Sequence, residues 1–469
     1  MSLSSSLFSG ISGLSSLGNA MQIIGDNIAN VNTVGFKSSA FSFQDLLSQS
    51  VSTLSGTAQV GRGTALGDIY ASFAQGSFES SSNTTDLAIG GDGFFVLKES
   101  GTDNFFYSRA GNFSFDESGY MSNPEGYVVQ GWALDENGDD VGSITDVVLS
   151  SFTSAPQETN NIQTIVNLNA DGDDNSSGSD LALATAWDGT AIPPLSESAY
   201  EYQTTLMVYD SLGSTHDVTV YFDKALTTSA HEFVVTCNPS EDYRTGAAGN
   251  AWSGKLARGL IEFDTSGSIT NIDMWSINPA DGTSVVLAEA TDLSDGYFTF
   301  VPTFITGNPM AVELDFGSRY DGLNWVKGSL STSQYASAST TTFQSANGYG
   351  AGDLEGVNVD VDGVITGSYS NGQLLPLYRV GLAKFQNTQG LFKEGGNLYS
   401  ETRESGSAIT NKPGTNGLGS IAPNALEQSN VDIANELVKM ITTQRGFQAN
   451  SKIITVTDQM LSDLINIKR

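Results

Sequence analysis

The sequence is short of cysteine and of basic residues. Its one cysteine, Cys237, excludes an internal disulfide framework, and the alternating pattern around it predicts a small apolar residue in a buried strand. Lysine and arginine total 20 against 52 acidic residues, which gives a net charge of −32. Nucleic-acid binding requires a cationic surface, so that function is excluded. An anionic membrane would also repel the chain.

Long apolar runs are missing as well. No stretch approaches the ~18 apolar residues that a membrane span requires, so no membrane insertion is expected. The first basic residue is Lys37, and Ser and Gly interrupt the apolar residues before it, which is unlike a cleaved signal peptide. If the protein works outside the cell, we expect another export route.

Catalytic and metal-binding patterns are scarce. The two histidines, His216 and His231, lie in or beside predicted strands without a metal-ligand partner at a recognised spacing. Residues 171–182 begin like a calcium loop, but Ser176 and Ala182 stand where glycine and glutamate are required, so we interpret them as a solvated linker. No nucleophile elbow or phosphate-binding glycine pattern occurs. We therefore expect no enzyme, no metal and no cofactor.

The charge that is present lies in the middle of the chain. Residues 1–36 carry only Asp26, and residues 430–469 carry five bases and four acids, so the two ends sum to zero (−1 + 5 − 4). The middle therefore holds the whole −32, together with all 11 prolines. With 39% hydrophobic residues over 469 positions, the chain has enough apolar material for two to four domain cores.

The first segment predicts a helix with one apolar face. Apolar residues recur at steps of three and four, close to a period of 3.5. They are Leu3, Leu7, Ile11, Leu14, Leu17, Met21, Ile24, Ile28 and Val31. The stripe ends at residues 30–35, Asn-Val-Asn-Thr-Val-Gly, which is a helix-stop pattern.

The last segment repeats this pattern, with Arg445 as an interruption. Its stripe consists of Ala434, Val438, Ile441, Ala449, Ile453, Val456, Met460, Leu464 and Ile467. Ser429 and Asp432 resemble a capping box at its start. Two alternatives are that each helix packs only on its own domain, or that it lies on a membrane surface. A matched pair at opposite ends favours helices that meet each other and continue their apolar surface onto neighbouring subunits.

The body between the helices changes to a period of two, which predicts strands. Hairpins are predicted at residues 206–222, at residues 260–269, and at residues 357–365 with Asp362-Gly363 near the end. The 51 glycines fit many turns, and no βαβ alternation appears. The expected fold is mainly β with terminal α-helices, in which the helices pair as a coiled-coil core and nested barrel-like or sandwich-like β domains are inserted between them.

Several segments resemble the flagellar rod and hook protein family. Residues 27–37, NIANVNTVGFK, resemble its N-terminal signature, and residues 430–450, NVDIANELVKMITTQRGFQAN, resemble its C-terminal signature. Residues 85–95, 107–113 and 382–391 resemble its inner β domain. The signature positions are Asn27, Asn30, Asn32, Gly35, Phe36, Gln444, Arg445, Phe447, Gln448 and Asn450.

Within this family, hook proteins fit better than the shorter distal rod proteins. The chain has a large insert, and residues 209–213, YDSLG, followed by His216, resemble the outer domain of a hook protein. A distal rod protein with an insert remains an alternative. A secreted calcium-binding or carbohydrate-acting β-protein is an alternative from another class, although it would not need paired terminal helices.

The resemblance implies an architecture and a set of partners. It implies a helical core at 1–36 plus 425–469, a connecting arm at 37–77, an inner β domain at 78–150 plus 350–424, and an outer β domain at 151–349. It further implies self-assembly into a curved extracellular tube that passes motor torque from rod to filament, exported without a cleaved signal peptide. The implied partners are copies of the chain, the distal rod protein, the hook cap protein, the hook–filament junction protein, the flagellar type III export apparatus and the hook-length control protein.

Overall fold

Helices stand at both ends of the chain, and strands fill its middle. The computed structural model describes residues 3–53, 56–135, 137–149, 152–175, 181–226, 229–288 and 292–467. The chain forms two compact units: unit 1 comprises Met1–Phe152, Leu354–Tyr369 and Gln373–Arg469, and unit 2 comprises Thr153–Asp353 and Ser370–Gly372. The predicted fold class, mainly β with terminal helices, is confirmed.

The α-helices of the described residues are α1 (Leu3–Ala29), α2 (Leu183–Ala186) and α3 (Ile433–Ile467), and three short 3-10 helices lie at Glu197–Ala199, Pro239–Glu241 and Thr388–Gly390. Helix α1 ends just before the predicted stop at residue 30. The predicted capping box of α3 is wrong, because Asp432 is itself the cap. Its Oδ1 accepts the backbone N–H of Ala434 at 2.9 Å and of Asn435 at 3.2 Å. An aspartate at this position satisfies the free N–H groups of the first turn directly.

Twelve strands precede unit 2. They are β1 (Ser39–Asp45), β2 (Gln49–Thr53), β3 (Gly56–Val60), β4 (Thr64–Ala71), β5 (Phe78–Ser80), β6 (Leu87–Gly90), β7 (Phe94–Glu99), β8 (Phe105–Ser108), β9 (Ser114–Phe115), β10 (Met121–Ser122), β11 (Tyr127–Leu134) and β12 (Asp140–Asp146). Strand β1 pairs with β4 and β2 with β3, both antiparallel, so residues 39–53 and 56–71 form a nested hairpin that we call the arm.

Unit 2 is built from the next strands. They are β13 (Thr153–Ser154), β14 (Asn161–Asn169), β15 (Tyr202–Tyr209), β16 (Thr215–Lys224), β17 (Ala230–Cys237), β18 (Lys255–Phe263), β19 (Ile269–Ile277), β20 (Ser284–Val286), β21 (Leu293–Ser294), β22 (Tyr297–Phe300), β23 (Val312–Asp315), β24 (Ser318–Tyr320), β25 (Trp325–Lys327), β26 (Ser333–Tyr335) and β27 (Thr340–Ala346). One sheet runs in order from β15 to β20, and a second has the order β21-β22-β23-β14-β26, with β27 also paired to β14.

Two predicted hairpins of unit 2 are confirmed. Strands β15 and β16 pair with Leu206 opposite Val218, and β18 pairs with β19. The alternating apolar residues face one core, in which Val220 and Phe233 are fully buried. Cys237 ends β17 and is buried in the same core, as its pattern predicted. Burial raises the pKa of its thiol, so this cysteine is unreactive in the folded protein.

The chain then returns to unit 1. Its last strands are β28 (Gly352–Val359), β29 (Val364–Tyr369), β30 (Leu374–Val380), β31 (Leu382–Lys384), β32 (Phe392–Gly395), β33 (Leu398–Ser400), β34 (Ile409–Asn411), β35 (Ser420–Pro423) and β36 (Ala425–Glu427). The third predicted hairpin is confirmed as β28–β29. The sheet continues as β29-β30-β11-β7-β8-β33-β32 around a core that contains Phe95, Val129 and Leu382. Strand β36 pairs with β5, which brings the start of α3 close to the arm.

Candidate self-assembly surface

The two terminal helices lie antiparallel, and small residues form their contact. A Cβ on Gly13 would stand 2.8 Å from Nδ2 of Asn450, and a Cβ on Gly446 would stand 3.2 Å from Cδ1 of Leu17. Gly10 also faces α3. The missing side chains let the two helix backbones approach closely. The contact inside one chain therefore depends on glycine as well as on apolar side chains.

Asn27 ties the end of α1 to the arm and to α3. Its side chain accepts the N–H of Ser39 at 2.9 Å and donates to the carbonyl of Ser39 at 2.8 Å. Its Nδ2 also lies 3.4 Å from a carboxylate oxygen of Glu436, and the other oxygen of Glu436 accepts from Lys439 at 2.6 Å. Both Asn27 and Glu436 are buried. This signature residue therefore joins the C-terminal end of α1 to the N-terminal end of α3.

The apolar stripe of α1 is only partly covered in the single chain. Ile24 is fully buried, whereas Ile11 is 53% exposed. The half-buried members are Leu7, Leu14, Leu17, Met21, Ile28 and Val31. The side chain of Leu3 lies outside the described residues. The α1 stripe therefore sits at the edge of the α1–α3 contact.

The apolar stripe of α3 faces away from α1. Its exposed members are Ala434, Val438, Ile441, Ala449, Ile453, Val456 and Met460. The side chains of Leu464 and Ile467 lie outside the described residues. Buried and half-buried positions of α3 instead include Glu436, Thr443, Gly446, Asn450, Ile454 and Thr457. The two predicted stripes therefore do not meet inside one chain, because glycine and small polar residues occupy the contact. Their role in self-assembly stays a prediction.

The N-terminal signature residues form the turn that leaves α1. Asn30 donates from Nδ2 to the carbonyl of Asp26 at 3.0 Å, which caps the helix end. Gly35 has a φ of +69°, and a Cβ there would stand 2.5 Å from the backbone nitrogen of Ala110. Phe36 is buried and Asn32 is exposed. Only glycine fits both the conformation and the space at position 35.

The C-terminal signature residues lie on the outer side of α3, with one exception. Gln444, Arg445, Phe447 and Gln448 are all exposed. Asn450 is half-buried against Gly13 and donates to the carbonyl of Gly446 at 3.2 Å. Most of this signature is therefore not needed for contacts within the chain.

The sequence reasoning missed a buried ion cluster below the helix pair. Glu427 accepts from Nζ of Lys37 at 2.6 Å and lies 3.5 Å from Nη1 of Arg109. The same carboxylate accepts the N–H of Gly76 at 2.8 Å, and the Glu427 carbonyl accepts the N–H of Gly35 at 2.7 Å. Burial lowers the pKa of Lys37 and of Arg109, while the Glu427 carboxylate opposes that effect. The signal in the sequence was a lone lysine directly after an apolar turn.

Asn430 is a second residue that the sequence reasoning missed, and it bonds to the residues just before and just after the arm. Its Oδ1 accepts the N–H of Ser38 at 2.8 Å. Its Nδ2 donates to the carbonyls of Ser72 at 2.7 Å and Ala74 at 3.0 Å. With Glu427, it connects the start of α3 to both ends of the arm. Neither role is visible in the spacing of the sequence, because the partners lie more than 350 residues away along the chain.

Four family models match consecutive parts of the chain. They are described as flagella basal body rod protein (residues 7–37), flagellar hook protein FlgE/F/G D1 domain (88–172), flagellar basal body protein FlaE D2 domain (167–349) and flagellar basal body rod FlgEFG protein C-terminal (422–467). The first and last of these cover the helix pair.

Relatives that match along the whole chain decide between the alternatives. The flagellar hook protein FlgE of Borreliella burgdorferi is 33% identical over 485 residues, with 99% of both chains covered. The chain belongs to the flagellar hook protein family. FlgE of Treponema pallidum is 32% identical over 99% of both chains, and FlgE of Escherichia coli is 30% identical over 98% of both. The predicted hook family, placed ahead of a rod protein, is therefore confirmed.

The histidines of this hook-family chain lie in unit 2. His216 contacts Asp210 and Glu241 through its two ring nitrogens, at 3.2 and 2.9 Å, and stacks on Phe304 at 4.0 Å. Among the described residues, no group of three or more His, Cys, Asp or Glu could hold a metal. Residues 176–180 of the calcium-like segment lie outside the described residues. Neither α1 nor α3, as described, is apolar enough over 18 residues to cross a membrane.

Proposed function

We propose that this chain is the structural subunit of the bacterial flagellar hook, and that copies of it assemble through their terminal helices into a flexible curved tube. The exposed apolar stripe of α3 carries this proposal. Val438 is 61% exposed and Met460 is 55% exposed, and they lie in a row with Ile441 and Ile453. An exposed apolar row on a protein surface marks an interaction site, and Arg445 is the one charged interruption of this row. In a member of the hook family, further copies of the chain are the natural partners.

The tube would work as a universal joint that passes torque while it bends. Close-packed helices at its centre resist twisting, because their side chains cannot slide without opening gaps. The middle of the chain carries the net charge of −32, so contacts between its β parts are polar and hydrated. Such contacts can shift without breaking a dry interface. We propose that the parts of this joint are the helical core (1–36 plus 425–469), the connecting arm (37–77), the inner β domain (78–150 plus 350–424) and the outer β domain (151–349).

Family membership supports association with other flagellar components. As specific neighbours we infer the distal rod protein, the hook cap protein and the hook–filament junction protein. We further infer export by the flagellar type III apparatus without a cleaved signal peptide, under a hook-length control protein. In this role the chain acts through assembly and not as an enzyme.

The test is an aspartate placed on the α3 stripe. Ile453 is 47% exposed in the single chain, so Ile453→Asp should leave the subunit folded and prevent polymer formation. Ile28→Asp should also prevent assembly, but Ile28 is half-buried, so its effect on the subunit is harder to separate. Electron micrographs of pelleted wild-type protein should show curved tubes.

The matched control is Ser118→Asp, which adds the same charge at an exposed turn of unit 1. This control should polymerise normally. Tubes from Ile453→Asp at the wild-type protein concentration would contradict the proposal, and so would wild-type protein that forms no polymer.

A further inference from the structure

An open groove runs along α1 on a side that α3 does not cover. Its volume is about 740 Å³, and it lies between the second half of α1 and the arm. Residues that line it include Asn19, Gln22, Ile23, Asp26, Leu66 and Ile69. Ile69 is 53% exposed, and Ile23 and Leu66 are half-buried. The arm therefore supplies an apolar wall of the groove, and α1 supplies a mainly polar wall.

Two glycines on α1 leave open space beside the helix in the single chain. Apart from the adjoining residues and the nearby backbone of α1 itself, no described atom lies within 4 Å of the point where a Cβ of Gly18 or Gly25 would stand. Gly10 and Gly13 differ, because α3 occupies the space beside them. A glycine inside a helix costs about 1 kcal/mol relative to alanine. Gly25, which lines the groove, and Gly18 therefore leave room for something that one chain does not supply.

The α3 stripe carries a positive charge at its centre. Arg445 lies between Ile441 and Ala449, and the salt bridges of unit 1 among the described residues do not include it. By contrast, Lys439 of the same helix is bound by Glu436 at 2.6 Å. An arginine in an apolar surface needs a carboxylate when that surface is covered.

The groove offers such a carboxylate. Asp26 is the single charged residue of positions 1–36, and it lies exposed on the groove wall. One of its oxygens accepts from Nδ2 of Asn30 at 3.2 Å, which leaves the other oxygen available. Lys393 is close enough to interact with Asp26 electrostatically, but its ammonium donates to Oγ of Ser39 at 3.1 Å. The groove and the α3 stripe are therefore complementary in both apolarity and charge.

We propose that the groove between α1 and the arm binds the α3 stripe of a second copy of this chain, with Asp26 paired to Arg445 of that copy. The aliphatic residues of the stripe pack against the arm wall, and Gly18 and Gly25 allow the incoming helix to approach α1 closely. This inference rests on the proposed function, since it names the surface by which subunits assemble.

The first test is Gly25→Leu in the full chain. The new side chain starts in space free of described atoms of its own subunit and favours the helix, so the free subunit should unfold at the same or a higher denaturant concentration. The leucine fills the groove, so the critical concentration for polymer formation should rise by at least about tenfold, as expected when an interface is overpacked. Gly25→Leu that polymerises at the wild-type concentration would overturn the proposal.

The control for this test is Gly13→Leu. Asn450 occupies the space beside Gly13, with its Nδ2 2.8 Å from the point that a Cβ would take, so this variant should lower the stability of the subunit itself. A lower denaturation midpoint for Gly13→Leu, but not for Gly25→Leu, would support the inference that one face of α1 contacts α3 of the same chain and that the other face is left for a second copy.

The second test exchanges the charges. Asp26→Arg and Arg445→Asp each place like charges together, so each variant alone should need at least about tenfold more protein to polymerise. In an equal mixture, the arginine introduced at position 26 of one variant meets the aspartate introduced at position 445 of the other, and the unchanged Asp26 and Arg445 also meet. The mixture should therefore polymerise within about threefold of the wild-type concentration.

Two results of the charge exchange would overturn the inference: single charge variants that polymerise like wild type, or a mixture that fails as the single variants do. If circular dichroism shows that the β regions of the charge variants are unfolded, the Gly25→Leu variant decides, and its normal assembly would overturn the inference. In each case, curved tubes from wild-type protein would leave the proposed function standing. Absence of tubes from wild-type protein would overturn both.

Discussion

The β core of unit 1 and its helix pair differ in how far one chain completes them. Phe95, Val129 and Leu382 of the β core are fully buried, whereas Val438 and Met460 of α3 are 61% and 55% exposed. The two regions belong to the same unit, so the difference lies in where their apolar residues point. The β core is finished within the chain, and the helix pair is not.

Glycine explains how the helices pair without using the apolar stripe of α3. Gly13 and Gly446 let the two backbones approach closely, and Leu17 of the α1 stripe packs against Gly446. The larger apolar side chains then stay on the outer side of α3. Burial of apolar area contributes about 25 cal/mol per Å², so association with another molecule that covers the exposed stripe is favourable.

The largest expected effect comes from the ion cluster that joins the two regions. Glu427→Gln removes the carboxylate, so Lys37 stays buried without its ion-pair partner, and Arg109 keeps only the weaker electrostatic attraction of Asp92. The free energy of unfolding should fall by about 3–5 kcal/mol, measured by urea denaturation. Glu117→Gln, at an exposed turn, should change it by less than about 0.5 kcal/mol. A loss below about 1 kcal/mol for Glu427→Gln would show that the cluster does not hold the regions together.

A smaller effect is expected at alkaline pH from two buried tyrosines of the β region. Burial raises the pKa of Tyr107 and of Tyr399 to about 12, from 10.0. The folded state then keeps these protons while the unfolded state releases them near pH 10, so stability falls between pH 10 and 12. The fall is at most about 2.7 kcal/mol per tyrosine. Tyr107→Phe should remove its share of the slope in denaturation midpoints; an unchanged slope would contradict this account.

The next effect distinguishes the two faces of α1. Gly18→Ala should stabilise the subunit by about 1 kcal/mol, because its new methyl group meets no described atom. Gly13→Ala should gain less, because Asn450 has to move. Thermal unfolding of the two variants side by side measures the difference. Equal gains would mean that the α1–α3 contact is looser in solution than in this structure.

The smallest effect is expected on the α3 stripe of the free subunit. Val438→Ala should change the free energy of unfolding by less than about 0.5 kcal/mol, as surface substitutions do. Val129→Ala, which removes the same atoms from the β core, should cost about 2 kcal/mol. Denaturation of the two valine variants gives this contrast directly. Similar losses for both would mean that the stripe is already covered in the single chain.

Local patterns predicted much of the fold. The three hairpins followed from alternating residues around Gly-containing turns. The burial of Cys237 followed from the alternating pattern of its strand. The end of α1 followed from the helix-stop residues. These features depend on neighbours in sequence, so they can be derived without the tertiary structure.

The candidate site was less predictable. The period of the stripes identified the helices, but it did not show that Gly13 and Gly446 would occupy their contact. Glu427 and Asn430 act on partners hundreds of residues away, which no local pattern reveals. The capping residue of α3 was missed because Ser429 and Asp432 both suit that position. Which face of a helix meets which partner depends on the whole fold.

Thiol labelling of Val438→Cys tests most directly whether another copy completes the helix pair. Cys237 is buried, so the new thiol is the reactive one, and Asp103→Cys provides an exposed control in unit 1. In the free subunit, both new thiols should react rapidly. In the polymer, the thiol at position 438 should be protected by at least about tenfold, while the thiol at position 103 stays reactive. Equal labelling of position 438 in free subunit and polymer would contradict the account.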